Sequence, residues 1–264
     1  MPRFKLLIEY AGTRYSGWQI QKNARTVQGE IDRAIREVSK RRDFELYGSG
    51  RTDAGVHALA QVAHLELYIS LAPEMLRRQI NDELPADIHI REIQKAPHKF
   101  HARHAAVSRV YLYQISRRRT AFAKPYVWWI REALDVGAMR EAAQVFLGMK
   151  DFAAFTDDDP EEKSTRVLVE RFDIVEAGAL ILVRVQGSHF LWKMVRRMVG
   201  VLAAIGRGEL RPGDAVRLLD DRAPLPRGLF PAGLTAPAAG LFLERVFYRG
   251  DDPIGEIRPV LWLE

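Results

Sequence analysis

Residues 44–48 read Phe-Glu-Leu-Tyr-Gly, and residues 59–67 read Leu-Ala-Gln-Val-Ala-His-Leu-Glu-Leu. The first is a short strand stopped by glycines. The second alternates roughly between apolar and polar, as a strand does. Two strands in succession do not fit the strand–helix alternation of a nucleotide-binding parallel sheet. Upstream, Thr26 is an N-cap for a helix with Val27, Ile31, Ala34, Ile35 and Val38 at helical spacing. Before it, Phe4–Tyr10 is an apolar run with β character, followed by Gly12 and Gly17 in a loop. Downstream, Pro73 opens a helix carrying Leu76, Ile80 and Leu84 that Pro85 closes, and 88–93 is a further strand. The order is β-α-β-β-α-β, the ferredoxin-like arrangement.

The same order recurs without any visible sequence repeat. Val107–Ser116 is a strand in which Val110, Leu112 and Gln114 alternate, and Asp135 caps a helix with Met139, Ala142, Ala143 and Phe146. Residues 171–175 and 180–185 form a hairpin across Ala177-Gly178. Residues 190–205 are a helix with Leu191, Met194, Val195, Met198 and Leu202 on one side, and 241–248 is the last strand. The expected protein is α+β, with an N-terminal half over 1–100, a C-terminal half over 101–249 and a tail, 250–264, without an assigned role.

The 264 residues carry 40 Lys+Arg against 34 Asp+Glu, a net charge of +6, and only 9 of the cations are Lys, leaving 31 Arg. The planar guanidinium suits phosphate and base stacking, so this balance leans toward a phosphate-bearing partner. There is no cysteine, which excludes disulfides, Cys-ligated zinc, iron–sulfur clusters and Cys nucleophiles. Arg3, Lys5 and Glu9 interrupt any signal-peptide core, and no apolar run approaches the ~18 residues of a membrane span. A cytoplasmic location without membrane contact is expected.

The densest chemical signal is Gly48-Ser-Gly-Arg-Thr-Asp-Ala-Gly-Val-His57. Three glycines within eight residues let the backbone approach a ligand closely. Asp53 is either a turn-capping carboxylate or a nucleophile or base held by those glycines. No Gly-Lys-Ser/Thr follows, so this is not a phosphate loop. The acidic stretch Asp157, Asp158, Asp159, Glu161, Glu162 reads as a solvated loop.

GSGRTDAGVHA at 48–58 resembles the hallmark of the TruA-type tRNA pseudouridine synthase family. YAGTRYSGWQIQ with TVQG, FHARHAAVSRVYLY, FLGMKDFAAFT, GSHFLWKMVRRMVGVL and LTAPAAGLFLERVFY resemble that family's remaining motifs in the same order, over most of residues 4–248. The resemblance implies two ferredoxin-like halves with antiparallel sheets flanking a central RNA-binding cleft. It implies that Asp53 is the catalytic aspartate and that Arg196 pairs with it. Arg51 would hold the target base out of its stack, Tyr111 would stack on the uracil, and Leu241 would line the pocket. Tyr113 has no implied role. The implied reaction converts uridine to pseudouridine at positions 38, 39 and 40 of the tRNA anticodon arm, in a homodimer whose two subunits both touch one tRNA.

That reaction breaks the N1–C1′ bond, turns the uracil and rebonds it through C5, so it is a net isomerisation needing no cofactor. It calls for an ionised carboxylate at the sugar, and a neighbouring Arg typically lowers a carboxylate pKa by ~1–3. Whether Asp53 adds to the sugar or acts as a base in a glycal route is open. The target base must leave its helix first, at a cost of a few kcal/mol. Candidate RNA-binding cations are Arg77 and Arg78, the run Arg117, Arg118 and Arg119, and Lys40 to Arg42. Lys193, Arg196 and Arg197 form a basic stripe opposite the apolar side of their helix. His98, His101 and His104 are spaced every third residue, but without helical i,i+4 spacing or an interposed carboxylate, and no metal is expected. The alternatives are a catalytically silent tRNA-binding protein or chaperone of the same fold, and a carboxylate-dependent hydrolase, which would want a second acid beside Asp53.

Overall fold

The computed structural model describes residues 1–159, 164–219 and 230–263. The fold is mixed α+β with mostly antiparallel strand pairing. The chain forms two units, Met1–Val107 with Phe242–Asp252, and Ser108–Leu241 with Pro253–Glu264. The parting at 107/108 differs from the expected 100.

In the first unit β1 (Arg3–Tyr10), α1 (Val27–Ser39), β2 (Glu45–Gly48), β3 (His57–Glu66), α2 (Pro73–Glu83) and β4 (Ile88–Ala96) follow the order read from the sequence. The strands lie in the order β4-β1-β3-β2, and every neighbouring pair is antiparallel. Alternation along β1 buries Phe4, Leu6, Ile8 and Tyr10 and turns Arg3, Lys5, Leu7 and Glu9 to the other face. Thr26 caps α1, its Oγ1 accepting from Gly29 N at 3.2 Å, an interaction worth ~1 kcal/mol. The stripe Val27, Ile31, Ala34, Ile35 is buried, as are Leu76 and Ile80 of α2. Asn81 ties α2 to β4: its Nδ2 donates to Ile90 O and its Oδ1 accepts from Ile90 N, at 2.9 and 2.8 Å.

The second unit contains β5 (Ala106–Ser116), β6 (Trp128–Trp129), α3 (Val136–Ala143), β7 (Gly148–Asp151), β8 (Arg166–Ala177), β9 (Leu180–Gly187), α4 (Met194–Gly206) and α5 (Asp214–Leu219). β5, β9, β8 and β7 are successive antiparallel neighbours. Asp135 caps α3, accepting from Ala138 N at 2.9 Å. β6 and β7 are additions to the expected order. They are too short, two and four residues, to show any periodicity. α4 starts at Met194 rather than at 190, because Lys193 adopts the left-handed region at φ 61° and a helix cannot continue through it.

The last strand, β10 (Leu241–Tyr248), departs from the sequence order. Phe242–Asp252 belongs to the first unit, and Phe242 and Leu243 pair in parallel with His57 and Ala58 of β3. Residues 253–263 of the tail have no regular element but are held to the second unit. Arg184, 2% exposed, donates to Gly255 O at 2.8 Å and to Glu256 O at 3.2 Å. Val260 N donates to Gln114 Oε1 at 2.7 Å, and Ala179 N to Leu263 O at 3.0 Å. Among the described residues, no helix is long and apolar enough to cross a membrane.

Candidate active site

In the first unit the loop between β2 and β3 carries Arg51 and Asp53. Val56 N donates to Asp53 O at 3.1 Å, closing a β-turn whose third residue, Gly55, has φ +78°. The loop is clamped by the segment after β1. Trp18 N donates to Thr52 O at 3.1 Å, Gly55 N to Tyr15 O at 3.2 Å, and Gly12 N to His57 Nδ1 at 3.0 Å. The Tyr10 hydroxyl and Thr52 Oγ1 are 2.8 Å apart in a buried hydrogen bond, and burial pushes the Tyr10 phenol well above its ordinary pKa. Both the carbonyl and the hydroxyl of Thr52 are therefore fixed one residue before Asp53. Asp53 is half-buried, whereas Arg51 is exposed and has no hydrogen-bond or ion-pair partner among the described residues.

A further glycine that the turn needs lies outside the motif. A Cβ on Gly12 would come within 1.9 Å of Val56 O, so the two loops touch backbone to backbone. Gly50, inside the motif, has open space around it.

In the second unit, Tyr111 on β5 is half-buried, and its ring meets Phe190 edge-on at 5.2 Å. Arg196 on α4 is half-buried. Its Nε donates to Ala236 O at 2.7 Å, while Ala236 N donates to Arg196 O at 3.0 Å. This clasp needs Gly200 one turn on, because a Cβ there would fall 1.5 Å from Leu234 O. The next residue, Pro237, accepts the Tyr113 hydroxyl proton at 2.8 Å. Tyr113 is fully buried, and burial raises its pKa well above the ordinary value despite the nearby Arg196 charge. Its ring lies against Gly240, and Leu241 follows at 5% exposure. Arg196, Tyr113 and Leu241 are thus linked through the 234–241 segment. Tyr113 was left without a role by the sequence, since strand alternation alone does not show what a hydroxyl reaches.

The expected basic stripe is corrected. Arg197 is 3% exposed and its guanidinium binds Asp157, which also accepts from Lys193 Nζ at 2.8 Å. The Lys193 and Arg197 hydrogen bonds hold the Asp157 carboxyl below the usual range. The acidic stretch is an exposed loop at Asp157 and Asp159, as expected, but it is also tied down: Asp157 is an ion-pair acceptor and Asp158 Oδ2 accepts from Trp192 N at 3.0 Å. Glu161 and Glu162 lie outside the described residues. Arg117, Arg118 and Arg119 are all exposed. Arg117 reaches Glu176 and Gly178 O at 2.7 and 2.9 Å, and the Arg119 guanidinium is 5.7 Å from the Trp129 ring centre. On α2, Arg77 and Arg78 share Glu74, whose pKa they pull down to about 2.

Residues 6–104 and 142–249 match the family model described as tRNA pseudouridine synthase. The chain belongs to the tRNA pseudouridine synthase family. Among its relatives in that family, tRNA pseudouridine synthase A of Pseudothermotoga lettingae is 37% identical over 251 residues, covering 93% of this chain and 99% of that protein. The proteins of the same name from Geobacillus kaustophilus and Methylocella silvestris are 39% and 41% identical, covering 94% of this chain and 95% and 99% of their own lengths. The matched pseudouridine synthase segments hold the Asp53 turn, its Gly12–Trp18 clamp and the Arg196–Leu241 linkage. Tyr111 falls between them.

Proposed function

We propose that this chain isomerises uridine to pseudouridine at positions 38, 39 and 40 of the tRNA anticodon arm, with Asp53 as the carboxylate that acts at the sugar. The observation that carries this is the Asp53 turn itself. The chain around a half-buried Asp53 is held by hydrogen bonds at the Thr52 and Asp53 carbonyls, the Thr52 hydroxyl and the Gly55 amide, two residues from an Arg51 that has no partner among the described residues, in a chain of the pseudouridine synthase family. Fixing the backbone around a nucleophile or base pre-organises it for the one position where bonds change.

In the reaction the N1–C1′ bond breaks, the uracil turns and C5 bonds to C1′. The proton lost from C5 must leave, and N1 gains one, so atoms and charge balance without a cofactor. Arg51 takes the role of keeping the flipped base out of its stack, Tyr111 that of stacking on the uracil, Arg196 that of the carboxylate's partner, and Leu241 that of the apolar wall. Arg77, Arg78, Arg117, Arg118, Arg119 and Lys193 are the proposed phosphate contacts; Arg197, buried against Asp157, is not among them. We read the two units as ferredoxin-like halves and the working protein as a cytoplasmic homodimer.

Asp53→Asn is the test. The amide keeps the size and removes the charge, so pseudouridine formation on unmodified tRNA, mapped by carbodiimide-dependent primer-extension stops, is expected to fall by ~10²-fold or more. The thermal melt and tRNA binding should be retained. Substantial activity in this variant, once mass spectrometry excludes deamidation back to aspartate, would remove Asp53 from the mechanism.

A further inference from the structure

The sheet of the first unit has a second feature that the Asp53 turn does not use. Register places Tyr47, His64, Lys5 and Gln94 opposite one another on β2, β3, β1 and β4, so the four form one row on the face that Phe4 and Leu6 do not occupy. Tyr47 ends this row and is 48% exposed. Its ring stacks on His64 at 5.3 Å with an interplanar angle of 23°. His64 is 1% exposed and is held by Ala102 N, which donates to its Nδ1 at 3.2 Å. Behind it, His101 lies 4.6 Å from His64 and His104 lies 4.2 Å from His101. Burial, with the neighbouring His101, pushes His64 down to about 4, so the ring beneath Tyr47 is uncharged at neutral pH, and burial with the neighbouring His104 lowers His101.

The other end of the row opens into a cleft of about 390 Å³ lined by Lys5, Lys95, Phe100, Tyr248, Arg249 and Asp251, among others. The Lys5 ammonium lies 4.5 Å from the Tyr248 ring centre and 5.7 Å from that of Phe100. Three cations face one carboxylate there, so the cleft attracts anions. Tyr47 and Lys5 are two strand spacings apart, ~10 Å, which a single nucleotide and its flanking phosphate bridge. A rigid, half-exposed aromatic face beside a cationic cleft is the pairing that holds single-stranded RNA: a base on the ring, the backbone on the cations.

We propose that this row is an accessory RNA-binding site, in which an unpaired base stacks on Tyr47 and the adjoining phosphates enter the cleft of Lys5, Lys95 and Arg249. It rests on the chain's acting on tRNA. Tyr47→Ala is expected to weaken binding of unmodified tRNA roughly 5- to 150-fold, and Tyr47→Phe to bind as wild type, because the ring and not the hydroxyl does the stacking. Lys95→Ala with Arg249→Ala should lower the slope of log affinity against log salt by ~1.4. Should Tyr47→Ala melt early, Tyr47→Trp gives a second measurement. Its added emission, taken as the difference from wild type, is quenched when tRNA saturates the protein. Wild-type affinity in a folded Tyr47→Ala, a Phe variant as weak as the Ala variant, or unquenched emission in Tyr47→Trp would each overturn the proposal. If wild-type protein forms no pseudouridine, the tRNA-modifying function fails instead, whichever way the Tyr47 variants bind.

Discussion

The Asp53 turn and the start of α4 hold their charged groups by different means. Around Asp53 most of the holding atoms are backbone, carbonyls of Tyr15, Thr52 and Asp53 and amides of Trp18, Gly55 and Val56, with the Tyr10–Thr52 hydroxyl pair and His57 Nδ1 added from side chains. At α4 they are side chains, with Arg197 and Lys193 converging on Asp157 from about 40 residues away. A backbone clamp depends on glycines and turns that are written locally. A side-chain clamp depends on a partner that only the fold brings near. Which cations remain available to a ligand follows from this difference: Arg51 has no partner among the described residues, while Arg197 is buried against its carboxylate.

The sharpest way to break the comparison is at the backbone clamp. Gly12→Ala puts a methyl where Val56 O lies 1.9 Å away, whereas Gly50→Ala meets nothing within 4 Å. The first is expected to cost about 3 kcal/mol or more in urea unfolding and to abolish pseudouridine formation with it. The second should stay within ~0.5 kcal/mol. Equal effects would mean that the motif's own glycines, not the contact between loops, shape the turn.

Next is the side-chain clamp. Arg197→Ala removes a buried stem and the Asp157 pairing and is expected to destabilise by about 2–3 kcal/mol. Lys193→Ala, at 31% side-chain exposure, should cost under ~1 kcal/mol. If Arg197→Ala instead leaves the melt unchanged and weakens tRNA binding with a shallower salt slope, Arg197 is a phosphate contact. Smaller still is Tyr113→Phe, which leaves Pro237 O without its donor. We expect a loss of ~1–2 kcal/mol and lower turnover with tRNA affinity unchanged, because the 234–241 segment also anchors Arg196. Unchanged turnover would separate Tyr113 from the site.

The smallest effect is on pH dependence. The folded-state pKa of Asp157 is depressed by Lys193 and Arg197. Its contribution is therefore complete above the unfolded value near 3.9 and is lost as pH falls through the lower folded value. Asp157→Asn should remove that contribution, so that its stability deficit against wild type, measured by circular dichroism, narrows below about pH 4. A deficit that is constant with pH would mean that the pairing adds nothing beyond its hydrogen bonds.

The order of elements in the first unit was legible in the sequence because each is set by local rules. Thr26 caps the helix that it precedes, as Asp135 does in the second unit, Pro73 opens α2, and alternation marks β1 and β3. The Asp53 loop was legible for the same reason, as glycine density and its charged residues lie within ten positions. The length of β8, the short β6 and β7, and the start of α4 were not. Two- and four-residue strands carry no period, and the left-handed Lys193 that delays α4 has no glycine to announce it.

By itself, then, the sequence determined what short-range chemistry determines: the strand–helix order, the caps, the Asp53 turn residues and the basic surplus. Only the tertiary structure decided that β10 from Phe242 onward serves the first unit and that Gly12 underlies the turn. It also decided that Tyr113 holds Pro237, and that of two adjacent arginines one clasps Ala236 and the other is buried on Asp157. Each of these is a contact between residues 40 or more positions apart, and the free energy of such a contact exists only once folding has brought both partners out of water together.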